Sequence, residues 1–302
     1  MGFGNSKFPR IPMHSPRFKP GAIVAFCRFW KFRISWNHNK SGINLVIFTD
    51  LRLLTMQAFI IQARMGSTRM PDKIMLPFAH GLTILEIMLR MLRQNFPNHE
   101  IFMATTLQKA DGAIVDFCDA NGVQVYRGDE NNVLLRTSKA AEAYGVTDII
   151  RICSDNPFLY PPFVQALIDD QSDADYISYS VENLPTIRTH FGLFAERVLK
   201  SALDKALSMN PEPIFQEHVT NFIYGHPNEF KLNWLPIEDK LNGLDNLRLT
   251  IDDPQDFKTV SSIYSDICST EGEFSLNGLR AYLAEHPHLM ESMAKNKVKY
   301  SK

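Results

Sequence analysis

Gln62-Ala63-Arg64-Met65-Gly66-Ser67-Thr68-Arg69-Met70-Pro71-Asp72-Lys73 follows the apolar run Phe59-Ile60-Ile61 and precedes a stretch with Leu85, Leu89 and Leu92 at helical spacing. A short buried strand, a polar loop and an amphipathic helix form the first half of a βαβ unit. Open α/β sheets bind ligands at the carboxyl ends of their strands, so this loop stands where a site is expected. Its composition suits a polyphosphate. Gly66 permits close backbone approach, and Ser67 and Thr68 place hydroxyls beside exposed N–H groups. Arg64, Arg69 and Lys73 put three cations into ten residues. Arginine can clamp phosphate oxygens in a fork, while lysine acts as a mobile point charge. The run matches neither GxxxxGK[ST] nor GxGxxG, which disfavours an ordinary P-loop and a dinucleotide-binding first turn. On spacing alone, a solvated basic loop is the competing interpretation.

Outward from this loop, strands and helices alternate. Strands are predicted over 101–105, 123–126 and 148–153, and helices over 82–92, 110–120 and 132–144, the last two closed by Gly122 and Gly145. The second half is less regular, with strands expected over 175–179 and 247–251. Helices are expected there over 194–208, 214–224, 254–267 and 275–285. Apolar strands separated by helices of this length imply a sheet covered on both faces. The fold class is therefore α/β, a doubly wound, mainly parallel sheet of Rossmann-like type, over residues 56–290, with 291–302 as a tail.

Of 302 residues, 45% are hydrophobic and 22% charged, enough apolar material for a sizeable core. The net charge of −1 carries no nucleic-acid footprint, yet it hides an asymmetry. Residues 1–55 hold nine Lys or Arg and one acid, Asp50, so they carry about +8 and leave the remainder near −9. This extension lacks clear helical or strand periodicity. Three interpretations stand: an over-extended start before an initiator at Met56, a disordered basic arm, or a targeting peptide. Cys27, Cys118, Cys153 and Cys268 form no CxxC or Cys/His cluster, which points to a reduced, cytoplasmic compartment. No apolar run approaches the ~20 residues that a membrane span needs.

Two aspartates complete the polyphosphate picture. Asp155 follows the strand at 148–153, and Asp252 follows the expected strand at 247–251. Two carboxylates at strand ends over one crevice suit Mg²⁺, whose remaining ligands are phosphate oxygens and water. The competing role for each is a helix N-cap, and Asp253 is an equally good cap candidate.

The stretch Ile60–Lys73 resembles the opening motif of the cytidylyltransferases that activate sugar acids. The likeness is closest to the spore coat polysaccharide biosynthesis (SpsF-like) type, related to the acylneuraminate and 3-deoxy-manno-octulosonate enzymes. It continues through Ala104-Thr105-Thr106, Tyr126-Arg127-Gly128, Arg151-Ile-Cys-Ser-Asp-Asn-Pro157, Glu217-His-Val-Thr220 and Leu247-Arg-Leu-Thr-Ile-Asp-Asp-Pro254. The resemblance implies a fold of the nucleotide-diphospho-sugar transferase type and transfer of CMP from CTP to a sugar acid, with pyrophosphate released and Mg²⁺ as cofactor. It further implies a role in cell-surface polysaccharide or glycan precursor biosynthesis, and a homodimer. It assigns Arg64, Lys73 and Asp155 to catalysis, and Asp155 with Asp252 to the metal. It assigns Ala63, Arg64, Gly66, Ser67, Thr68, Arg69, Lys73, Thr105, Arg127 and Arg136 to the nucleotide. Arg188, His190, Glu196 and Glu217 fall in the part that faces the acceptor, Arg188 being the natural partner for its carboxylate. Bland alternatives stay open: an exposed helical charge for Arg136, structural roles for His190 and Glu196, and a polar rim for Glu217. Ser154 departs from the family's usual glycine. A glycosyltransferase would want an Asp-x-Asp at a strand end, whereas Asp173-Ala-Asp175 precedes its strand. Another sugar nucleotidyltransferase, with a different base or a sugar 1-phosphate, and a non-catalytic nucleotide-binding protein are the remaining alternatives.

Overall fold

A computed structural model describes residues 33–39, 42–48, 55–209, 211–237, 241–269 and 273–299. The chain divides into two compact units, 1–55 and 56–302. In the first unit, β1 (Arg33–Asn39) and β2 (Gly42–Phe48) pair antiparallel, Arg33 opposite Phe48 and Asn39 opposite Gly42. This hairpin corrects the expectation that the extension lacks strand structure. The run Ile43–Phe48 is rich in the β-branched and aromatic residues that favour strands. The rest of the basic extension, Cys27 included, lies outside the described residues.

The second unit is built on β3 (Gln57–Gln62), the strand that delivers the loop. Its middle four residues are buried, Phe59 and Ile61 in one apolar cluster, Ala58 and Ile60 in the other. Successive strand side chains point to opposite faces, so an all-apolar strand requires cover on both. β4 (Pro77–Ala79) and β5 (Leu82–Thr83) form a small hairpin before α1 (Ile84–Asn95). Thr83 and Glu86 close a reciprocal capping box at the start of α1. Then follow β6 (Ile101–Thr106), α2 (Gly112–Asn121), β7 (Gln124–Gly128), α3 (Val133–Tyr144) and β8 (Asp148–Cys153). Gly122 and Gly145 end α2 and α3 in the left-handed conformation, as their positions imply. The strands β7, β6, β3 and β8 lie side by side and parallel.

Beyond β8 the pattern changes. After α4 (Pro161–Asp169), which the sequence reading did not single out, come β9 (Tyr176–Val181) and the short β10 (Leu184–Pro185). Residues 194–208, expected as one helix, are instead β11 (Glu196–Leu199) followed by α5 (Lys200–Ser208). β11 inserts antiparallel between β8 and β9, and its burial alternates with period two, Glu196 and Val198 inward. Pairing on both sides overrides a four-residue local preference. The expected helix over 214–224 is broken into α6 (Pro213–Glu217) and α7 (Asn221–Gly225), and β12 (Leu232–Leu235) pairs parallel with β9. α8 (Pro254–Ile267), α9 (Leu276–Glu285) and α10 (Pro287–Lys299) close the chain, so most of the expected tail is helical. Helices cover both faces of the sheet: α1, α2, α4, α8 and α9 pack in one cluster, α3, α5 and α7 in the other. No helix among the described residues is long and apolar enough to cross a membrane.

Residues 247–251 do not join a ladder, contrary to expectation. They form no regular element and are held by backbone bonds: Leu249 and Thr250 N–H donate to the His190 carbonyl at 2.9 and 3.3 Å, and Ile251 N–H donates to the Asp155 carbonyl at 3.4 Å. Gly192 makes this approach possible. Its φ is +69°, and a Cβ there would lie 2.8 Å from the Leu249 carbonyl carbon. We expect Gly192→Ala to lower stability by about 1–3 kcal/mol through left-handed strain and backbone collision, measured by urea unfolding. An unchanged midpoint would show that the two segments separate freely.

Candidate active site

The loop after β3 is shaped by a buried carboxylate on a neighbouring connection. Asp111, 1% exposed, accepts the Met65 N–H at 2.7 Å, the Thr106 N–H at 3.1 Å and the Thr106 hydroxyl. It thereby ties the loop to the carboxyl end of β6. The Met65 carbonyl in turn accepts from Ser67 N–H at 2.8 Å and Asp72 N–H at 3.1 Å. Asp72 sits at φ 61°, turning the chain back towards the sheet. Sequence reading missed Asp111. Nothing in its local sequence, Lys109-Ala110-Asp111-Gly112, marks it out.

Lys73 leaves this turn buried and reaches across the crevice. Its ammonium donates to the Ile251 carbonyl and lies 3.3 Å from Asp155 Oδ2. Arg69 pairs with Asp252 Oδ1 at 2.5 Å. Asp252 is held from behind as well: Arg248 donates to its Oδ2 at 2.8 Å, and Asp256 accepts its N–H at 3.0 Å. Arg248 is itself clamped by Asp256 at 2.9 and 2.6 Å. The N-cap of α8 is Asp253, whose carboxylate accepts the Asp256 N–H at 2.8 Å. Asp252 is thus released from capping. Asp155 is no cap either, since the next helix begins at Pro161 with Tyr160 in the cap position. Ser154 keeps φ outside the left-handed region, so serine stands there without strain.

These groups line a cleft of about 530 Å³. Its wall includes Arg64, Ser67, Thr68, Arg69 and Lys73 from the loop, with Asp155 and Asp252 opposite. Thr186, Ile187, Thr189, Phe194, Glu196 and Glu217 form a second part of the wall. Arg64 lies 3.9 Å from Glu217, so the loop meets this second part. His218, beside Glu217, also lines the cleft, as do Gln62, Arg151, Cys153, Asn156 and Thr250, to which the sequence assigned no role.

Other expected residues stand back from the cleft wall. Ala63 and Thr105 are buried against the sheet. Gly66 is exposed, and a Cβ there would meet only Glu130 Oε1, at an ordinary 3.9 Å. Arg127 donates to the Thr106 and Gln108 carbonyls at 2.9 and 2.8 Å. Arg136 is not an exposed helical charge. It is 1% exposed and donates to the Asp129 and Glu130 carbonyls, with its pKa drawn down to about 10 by burial and by nearby Arg64. Arg127 thus fastens the connection after β6, and Arg136 the connection after β7. His190 is buried, its ring 3.4 Å from Thr250 Oγ1, and Arg188 is exposed.

The donor set fits a hard divalent cation. Asp155 and Asp252 are oxygen donors on adjoining segments, linked through Lys73 and the Ile251–Asp155 backbone bond. Among the described residues, no group of three or more His, Cys, Asp or Glu gathers as a metal centre. An ion here would need ligands from a bound phosphate and water, as Mg²⁺ does in phosphate sites.

A mainly parallel sheet, with a cationic loop after its first strand and two carboxylates facing that loop, defines a nucleotidyltransferase of Rossmann-like fold. The profile of a family described as "Cytidylyltransferase" matches residues 58–286, and the chain belongs to that family. It is 33% identical to the spore coat polysaccharide biosynthesis protein SpsF of Bacillus subtilis, over 68% of this chain and 85% of that one. It is 37% identical to an uncharacterized protein of Methanocaldococcus jannaschii, over 66% and 79% of the two chains. A solved cytidylyltransferase from Leptospira borgpetersenii superposes with a TM-score of 0.68 at 28% identity, covering 78% of this chain and 97% of that one. The fold is also that of a CMP:2-keto-3-deoxy-manno-octonic acid synthetase solved with CTP, at a TM-score of 0.52 and 15% identity over 70% and 99% of the chains.

Removing the Asp111 carboxylate orphans two buried N–H groups, and each orphan costs about 1–3 kcal/mol. We expect Asp111→Ala to accelerate hydrogen exchange at Met65 and Thr106 well beyond the rest of the sheet. Uniform protection across the loop would show that Asp111 does not organise it.

Proposed function

We propose that the chain transfers CMP from CTP to a hydroxyl of a sugar acid, releasing pyrophosphate, in the assembly of cell-surface polysaccharide or glycan precursors. The observation that carries this is the convergence of Arg64, Arg69 and Lys73 with Asp155 and Asp252 on one cleft. Family membership supports CTP as the donor. The polysaccharide role and the acid acceptor draw support from the names of SpsF and of the octonic acid synthetase.

In this reading the acceptor oxygen attacks the α-phosphorus, and the bond from that phosphorus to the bridging oxygen of the β-phosphate breaks. The chain's contribution is position and charge. Arg64 and Arg69 clamp the triphosphate in guanidinium forks, and Lys73 supplies a near-fixed positive charge between the Asp155 and Ile251 segments. Asp155 and Asp252 would hold Mg²⁺, which when bound supplies charge stabilisation at the phosphate oxygens. Arg248 and Asp256 keep Asp252 aimed at that place. The part of the cleft lined by Thr186, Thr189 and Glu217 presents hydroxyl and carboxylate groups suited to the hydroxyls of a sugar.

Pyrophosphate release should appear with CTP, Mg²⁺ and a 2-keto sugar acid, and should fall about 100-fold or more in Asp155→Asn, which removes one of the two carboxylates that would hold Mg²⁺. Turnover with a sugar 1-phosphate and with none of the acids would refute the acceptor. Equal rates across the four nucleoside triphosphates would refute the choice of CTP.

A further inference from the structure

The buried ion pair in the second part of the cleft wall changes the part that Glu196 plays. Glu196 is 2% exposed, and both its oxygens are taken. Oε2 accepts from Arg151 Nη1, while Oε1 accepts from the Tyr176 hydroxyl and from Thr220 Oγ1, the latter at 2.7 Å. A carboxylate with three donors and almost no exposure has little left for a ligand. Arg151 differs. Its Nη2 donates to Gln62 Oε1 at 2.9 Å, and it lines the cleft between Gln62, where the phosphate loop begins, and Glu196. A guanidinium has five N–H donors in a rigid fork, so bonds to Glu196 and Gln62 leave donors for a second acceptor. Its Nε–H is buried with no partner. Burial draws the guanidinium pKa down, but Cys153 and Glu196 outweigh that and hold it above the ordinary arginine value.

The position matters as much as the charge. In the ring form of a 2-keto sugar acid the attacking hydroxyl and the carboxylate share one carbon. The carboxylate must therefore enter the cleft beside the α-phosphate, where the loop meets the second part of the wall. Arg64, Arg69 and Lys73 all come from the loop, whereas Arg151 comes from β8 and bonds both Gln62, at the start of the loop, and Glu196, in the second part of the wall. Arg188, the partner that the family resemblance suggests, is exposed and does not line the cleft. We propose that Arg151 receives the carboxylate of the acceptor, and that Glu196 is a positioning residue that holds the Arg151 fork in place. This assignment rests on the sugar-acid reading above and names the residue that would make the site select an acid.

The test compares the wild type with a double variant, Arg151→Gln with Glu196→Gln, in the full chain. Changing both removes the ion pair without stranding a buried charge, and the amide oxygen introduced by Glu196→Gln still accepts from Tyr176 and Thr220. Thermal unfolding and CTP binding by calorimetry verify the fold and the nucleotide site. Each enzyme is given a 2-keto sugar acid and its C1 amide. The wild type should favour the acid, and the double variant should raise KM for the acid roughly 10- to 100-fold, the loss of one charge-assisted contact. KM for the amide should hardly move, and CTP affinity should stay within about twofold. Single Arg151→Lys, which keeps charge without the fork, should recover only part of the acid preference. A double variant that loses acid and amide equally, loses CTP binding, or fails to fold while Arg151→Lys matches the wild type would overturn the assignment to Arg151. A wild type that turns over no sugar acid would instead defeat the sugar-acid reading, and this assignment with it.

Discussion

Lys73 joins three pieces of chain that are far apart in sequence. Its ammonium, carried at the end of the loop that follows β3, bonds the Ile251 carbonyl and faces the Asp155 carboxylate. A buried ammonium is tolerated only where oxygen surrounds it, so this contact brings the loop, the end of β8 and the segment before α8 to one place. The cleft follows from that meeting. Asp252 enters it because Ile251 is held there, and Arg69 reaches it because Lys73 anchors the far end of its loop.

Beneath the cleft, buried charges are arranged in two closed sets. Arg248 lies between Asp252 and Asp256. Arg151 lies between Glu196 and Gln62, with Tyr176 and Thr220 completing the carboxylate. The Tyr176 hydroxyl is driven well above its ordinary pKa by burial and by Glu196, so it remains a donor at any ordinary pH. Desolvated ion pairs of this kind add little net stability, because removing both charges from water offsets their attraction. Their value lies in direction. Each fixes a charged group whose other side faces the cleft, and an active site working by electrostatics needs such groups prearranged.

Much of the first half was legible in order: a strand at Phe59–Ile61, helices ended by Gly122 and Gly145, and a strand before Asp155. These elements are specified locally, by apolar runs and by glycines that accept positive φ. The errors cluster where pairing between distant segments decides the outcome. Glu196–Leu199 is a strand because β8 and β9 flank it, and 247–251 joins no ladder, its N–H groups bonding the His190 and Asp155 carbonyls instead. Neither partner can be seen in a window of ten residues.

The site divides in the same way. The amino-acid order alone established a phosphate-suited loop and two aspartates after apolar segments, because those features depend on composition and short spacing. It could not say that Asp253 rather than Asp252 caps α8, that Arg127 and Arg136 bond carbonyls of the loops around them, or that Asp111 sits under Met65. Nor could it show that Glu196 is fully engaged while Arg151 faces the cleft. Those facts depend on which polar groups find partners when the chain is compact. Water is excluded from the interior, and every buried charge must settle against the nearest available neighbour, which only the tertiary structure supplies.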